Sequence, residues 1–185
     1  AIWNGGRVSL GSCTKEQIEY VLNEFNSRGI PCRFTFTNPL LEEKHLYDTF
    51  CNLIMTLGDN GMNEVIVNSP LLEDYIREQY PKYKIISSTT KCLEGMLEVT
   101  EEAQKDYALV VLDNSFNNTE KLFSLMYKEK YELIPNSYCV GTCPKRREHY
   151  KEIGRAQLQF RASQFPICDS INRDFYDLMA NRSFI

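Results

Sequence analysis

Five short runs rich in β-branched and aromatic residues begin near residues 32, 64, 83, 107 and 131, and a stretch of helical periodicity lies between each pair. Onsets about 20 to 30 residues apart are the spacing of strand-helix units, so the chain is constrained to an α/β fold with a parallel sheet. The runs are Cys32-Arg-Phe-Thr-Phe-Thr, Glu64-Val-Ile-Val67, Tyr83-Lys-Ile-Ile-Ser87, Tyr107-Ala-Leu-Val-Val-Leu112 and Tyr131-Glu-Leu-Ile134. Near-continuous apolar strands such as Leu109 to Leu112 suit a sheet covered on both faces.

The intervening helices follow from period and punctuation. Ile18, Val21, Leu22 and Phe25 recur at three- and four-residue steps, with Thr14 placed to cap the start and Gly29 to stop the end. Further helices are predicted over Leu41 to Leu57, Leu71 to Gln79, Leu93 to Ala103 and Thr119 to Lys128. Two architectures satisfy this order, an open doubly wound sheet and a closed or partial (βα) barrel. No glycine-rich phosphate fingerprint follows any strand, which removes the main positive signal for the dinucleotide-binding open sheet. The reading is therefore a single TIM-barrel-like domain over 1–185, a parallel (βα) barrel that is partial or truncated, since five strands fall short of eight. The start on Ala1 and the stop on Ile185 suggest a piece of a longer chain, and an intact natural product of about 21.6 kDa would refute that.

The bulk numbers exclude more than they select. A net charge of -4 disfavours a generally nucleic-acid-coating surface. No window nears the roughly 20 apolar residues of a membrane helix. With no leader recognisable and seven cysteines, an odd number of which Cys13, Cys32, Cys51 and Cys92 are scattered through helical or strand-like contexts, reduced thiols and a cytoplasmic protein are expected.

Ligands of parallel α/β proteins bind at the carboxyl ends of the strands. Here those ends carry Asn38, Asn68, Ser88, Asp113 and Asn136, a ring able to hold a polar substrate or a metal-bound water. Asn, Asp and Ser are also ordinary caps and turn residues, so no single position decides the matter. The densest chemistry follows the fifth strand, in Asn136-Ser-Tyr-Cys139-Val-Gly-Thr-Cys143-Pro-Lys-Arg-Arg-Glu-His149-Tyr150. Cys139 and Cys143 can present two thiolates to one ion, Cys168 is a third candidate, and thiolates suit zinc or an iron-sulfur cluster. His149 could supply a nitrogen, or Cys13, Cys32 or Cys92 a fourth sulfur. His149 beside Cys143 would also make a nucleophilic pair. Arg146 and Arg147, with Lys145, form a positive patch matched to phosphate or carboxylate. Arg146 also occupies the place where a radical-type Cys-x-x-x-Cys-x-x-Cys run needs its third cysteine. Trp3-Asn-Gly-Gly-Arg7 reads as a first loop of the same mouth, its glycines allowing close backbone approach.

The Asn-x-x-Cys-x-x-x-Cys-Pro-x-Arg-x-x-His-Tyr block at 136 to 150, the Val-Asn-Ser-Pro-Leu-Leu run at 67 to 72 and the regular βα order resemble the collagenase-like peptidase family, peptidase class U, family thirty-two. The likeness runs from about Ile30 to Cys168. It implies a (βα) barrel of bacterial type, with relatives that carry a peptidase label and others that modify RNA or hydroxylate quinone precursors and hold an iron-sulfur cluster through four cysteines. Carried onto this chain, it points to Cys139, Cys143 and Cys168 as ligands, with Cys32 as a candidate fourth. No HExxH, paired carboxylates or Ser-His-Asp arrangement is present, so proteolysis has no support from the residues. The expectation is a cluster- or zinc-dependent enzyme acting on a small-molecule, peptide or RNA-linked substrate. A true peptidase using a thiol or metal-bound water, and a non-catalytic barrel that binds a partner, stay open beside it.

Overall fold

The structure, a computed structural model, describes residues 1–6, 13–117, 119–135 and 143–165. Helix α1, Lys15–Asn26, starts where Thr14 and Gln17 cap each other reciprocally, and the chain turns out of it through Gly29 at φ 74°. Strand β1, Arg33–Phe36, follows. The helix predicted over 41–57 is two, α2 (Glu43–Leu46) and α3 (Thr49–Gly58), because Asp48 caps a new start by accepting from the Cys51 amide. Then come β2 (Glu64–Val67) and α4 (Pro70–Gln79), the latter with Ser69 as cap and proline in its first turn. Strand β3, Lys84–Ser87, leads through a 3-10 turn at Thr89–Lys91 to α5, Met96–Ala103. Strand β4 is Leu109–Val111, α6 is Glu120–Phe123, and β5 is Tyr131–Glu132. The helix predicted to reach Lys128 thus stops early. Last is α7, Arg146–Leu158.

All five strands pair in parallel and in chain order, β1-β2-β3-β4-β5. Phe36, Val67, Ser87, Val110 and Tyr131 stand in one register row. That row faces the helices, for Ser87 donates to Glu102 of α5 and Tyr131 to the Val99 carbonyl on the same helix. Val65, Val67, Leu72, Ile76, Met55 and Phe36 form the main core between sheet and helices, and Val99, Leu112, Phe116 and Leu125 form a second, smaller cluster.

Alternation turns Arg33, Glu64, Ile86 and Glu132 to the opposite face, and they show that it is concave. Four strand spacings of about 4.8 Å would separate β1 from β5 by about 19 Å in a flat sheet, farther than an arginine and a glutamate reach end to end. Yet an Arg33 nitrogen lies 2.6 Å from a Glu132 oxygen, while its Nε holds Glu64 at 2.7 Å. The facing residues are also offset. Arg33 stands three places before the register row and Glu132 one place after it, a slip of one residue for each strand crossed. Among the described residues the sheet does not close, and β1 and β5 are its edges.

Candidate functional site

The carboxyl ends of the strands lie beneath α7 and the first six residues. Asn38 is fully buried and its side chain is a knot: Nδ2 donates to the carbonyls of Ile2 at 2.9 Å and Gly154 at 3.1 Å, and Oδ1 accepts from the Leu40 amide. Its own amide donates to the Trp3 carbonyl. Trp3 is itself fully buried, with the indole N–H on the His45 carbonyl. Such closeness needs glycine, because a Cβ on Gly154 would lie 2.4 Å from Asn38 Oδ1 and one on Gly5 2.4 Å from the Thr37 carbonyl. Beside the knot, the buried Thr37 hydroxyl has no hydrogen-bond partner among the described residues.

Asn68 and Asp113 follow the carboxyl ends of β2 and β4, one residue and three residues beyond the register row. Asn68 donates to the Thr90 hydroxyl at 2.7 Å. Asp113 is held by Arg146, whose Nη1 reaches both carboxylate oxygens, Oδ2 at 2.5 Å. Neither side chain is more than 2% exposed, so this is a fully desolvated pair. The next residue, Arg147, is exposed at the surface and donates to the Cys92 carbonyl at 3.0 Å.

Cys92 follows β3 in the left-handed region at φ 52°, an uncommon conformation for a residue with a side chain. Burial pushes its thiol up to about 11; Asp113 adds to the rise, and Arg146 and Arg147 oppose it. Cys143 is buried at the entry to α7, its carbonyl accepting from the Arg146 amide. Two thiols, a buried ion pair and an exposed guanidinium thus share one corner of the mouth. His149 lies further along α7, its ring flat on Phe165 with centroids 4.7 Å apart.

Of the residues singled out from sequence, the structure joins Asp113, Arg146, Arg147 and Cys143 at this corner and ties Asn38 to the far half of α7. Asn136, Cys139 and Cys168 lie outside the described residues. Cys32 as a fourth ligand is corrected: it precedes β1 at the opposite end of the sheet, where it lines an outer groove with Cys13. Cys92 stands at the carboxyl end of the strands, beside Arg147. Among the described residues no three of His, Cys, Asp and Glu gather as a metal site. The sequence offered no signal for Gly154 or for the Asp113–Arg146 pairing, whose partners lie 33 positions apart.

No family model matches the chain, and no curated protein matches it. Among solved structures it is similar to "The Structure of the U32 Peptidase Mk0906", with a TM-score of 0.60 at 15% identity over 99% of this chain and 74% of that one. The fold is U32-peptidase-like. At that identity the likeness speaks for the α/β fold and its parallel sheet, as the sequence resemblance led one to expect. No helix among the described residues is long and apolar enough to cross a membrane.

Proposed function

We propose that the five strands are a part of a (βα) barrel and that the chain is a metal- or iron-sulfur-dependent enzyme of collagenase-like peptidase type, acting on a polar or RNA-linked substrate at the carboxyl end of the barrel. The barrel reading is supported by the one-residue slip per strand, the shear of an eight-stranded barrel with shear eight. The observation that carries the functional reading is the corner itself. Cys143 enters it buried, Cys92 reaches it from the β3 end, and the two arginines that follow Cys143 fasten α7 to Asp113 at the β4 end and to the Cys92 carbonyl.

Thiolates are the donors a soft metal or a cluster takes. Cys139, Cys143 and Cys168 would hold it, and Cys92 is the candidate for a fourth thiolate. A bound cluster would supply electron transfer or a Lewis-acidic iron, and zinc an activated water. The protein's part is electrostatic. Burial keeps Cys92 a thiol by raising its pKa, and Arg146 and Arg147 oppose that rise without overcoming it. Arg147, with one hydrogen bond to the Cys92 carbonyl, keeps further donors for the phosphate or carboxylate of a substrate.

The test is to purify the protein without oxygen and measure iron, sulfide and zinc per chain, in the native sequence and in Cys143→Ala. Stoichiometric iron and sulfide that vanish in the variant support a cluster. Zinc that vanishes with it moves the reading to hydrolysis. A folded, metal-free native protein refutes the proposal.

A further inference from the structure

Two asparagines are followed directly by glycine, Asn4 by Gly5 and Asn60 by Gly61, and a glycine offers its backbone nitrogen without a Cβ to screen it. That nitrogen can close on the carbon of the preceding side-chain amide. The fold treats the two pairs in opposite ways. Gly5 is wedged at the mouth, where a Cβ would lie 2.4 Å from the Thr37 carbonyl oxygen and 2.5 Å from the Asn38 nitrogen. Gly61 stands exposed at φ 81° with open space around its Cβ position, in the turn between α3 and β2 at the amino ends of the strands.

The turn also prepares Asn60 for attack. Its Oδ1 accepts from the Met62 amide at 3.0 Å, which folds the side chain over the Gly61 peptide, and from Asn63 Nδ2 at 3.3 Å. Both donors sit on the oxygen that turns negative when a nucleophile adds to the amide carbon, as in an oxyanion hole. Asn60 Nδ2, the nitrogen that such an attack expels, donates to Asn26 Oδ1 at 2.7 Å.

We propose that Asn60 is a self-modification site. The Gly61 nitrogen loses its proton to water or hydroxide and bonds to Asn60 Cγ, the Cγ–Nδ2 bond breaks, and Nδ2 takes a proton from water and leaves as ammonia. A cyclic imide remains, and water opens it at either carbonyl to give aspartate or isoaspartate. The product cannot keep the bonds that Asn60 makes. Asn26 Oδ1 also accepts from Asn63 Nδ2, and Asn26 Nδ2 donates to Asn63 Oδ1 and the Ile30 carbonyl. A carboxylate oxygen in place of Asn60 Nδ2 faces the Asn26 oxygen with no hydrogen between them, and turning the Asn26 amide over only moves the conflict to Asn63 and Ile30. Asn63 is 1% exposed, and its Oδ1 holds the Cys32 amide at 2.8 Å just ahead of β1. A change at an exposed turn is thereby passed to a buried side chain and to the start of the first strand. The inference stands apart from any metal at the mouth.

The test incubates the purified chain at mildly alkaline pH, folded and in urea, and follows the peptides bearing each Asn-Gly pair by mass spectrometry and an isoaspartate assay. In urea the two pairs should convert alike. In the folded chain Asn60 should convert no slower than in urea and about tenfold or more faster than Asn4. Gly61→Asn, which tolerates the positive φ but screens the nitrogen, should slow Asn60 about tenfold. Equal folded rates at the two pairs, or a folded Asn60 about tenfold slower than in urea, would overturn the proposal. Amide hydrogen exchange at Cys32 should quicken about tenfold in Asn60→Asp, and an unchanged rate there would overturn the coupling to β1.

Discussion

Two charged clusters tie together elements that are not neighbours in the sheet, and they do so in opposite surroundings. At the amino ends of the strands Arg33 bridges Glu64 and Glu132, with side chains 29%, 14% and 34% exposed. At the carboxyl ends Arg146 grips Asp113 with both side chains at 2% or less. The first is wetted and shares its charges with water. The second has left water altogether and depends wholly on its geometry, so its partners are not separable without leaving a charge stranded. Ion pairs of the same chemistry therefore act as a soft brace at one end of the sheet and a rigid clamp at the other.

The clamp should yield the largest effect. Arg146→Ala is expected to cost about 3–5 kcal/mol in urea unfolding, because it strands Asp113 in the interior. The joint replacement Asp113→Leu with Arg146→Met should cost far less, and a single variant losing under about 1 kcal/mol would put the clamp in the same class as the brace. Glu102 supplies an intermediate case. Burial alone would raise its carboxyl, but hydrogen bonds from Lys105, Lys91 and Ser87 bring it down to about 2. With the folded value below the unfolded one of about 4.3, its stabilisation is complete above about pH 5 and is lost as pH falls toward 2. Glu102→Gln should remove about 2–3 kcal/mol at neutral pH and flatten that acid limb, and an unchanged limb would refute the assignment.

Gly154→Ala measures the packing beside the clamp without touching charge. Its Cβ meets Asn38 Oδ1 at 2.4 Å, so a loss of about 1–2 kcal/mol is expected, and a neutral result would mean that α7 shifts freely on the mouth. The brace should give the smallest effect. Arg33→Ala should lower stability by no more than about 1 kcal/mol, and the difference should fade in about 1 M salt, where screening reaches only about 3 Å. A larger, salt-insensitive loss would erase the contrast between the two ends.

Much of the fold could be read from local signals. The β2 run matches residue for residue, Thr14 caps α1, and Gly29 turns the chain at positive φ, all consequences of period, capping chemistry and the freedom of glycine. Helix α7 could not be read this way. Its buried positions include Arg146, Gly154 and Gln157 beside Ile153 and Ala156, so the apolar stripe that announces a helix is missing. The polar strand ends were legible as a set but not in their roles. Asn38 is consumed by backbone carbonyls, while Asp113 is paired with a residue that only the tertiary fold brings near. Thiol spacing identified Cys143, but which distant cysteine shares its end of the sheet depends on strand direction, and that placed Cys92 there and Cys32 at the other end.

The Asn38 knot also bears on how the molecule comes apart. One amide group closes chain separations of 36 and 116 residues at once. Contacts of such span carry the greatest loop-closure cost and tend to form late, after the local strand-helix units. A change that weakens a late contact leaves the folding rate nearly untouched and accelerates unfolding. Asn38→Ala is therefore expected to shorten the life of the native state more than it slows its formation.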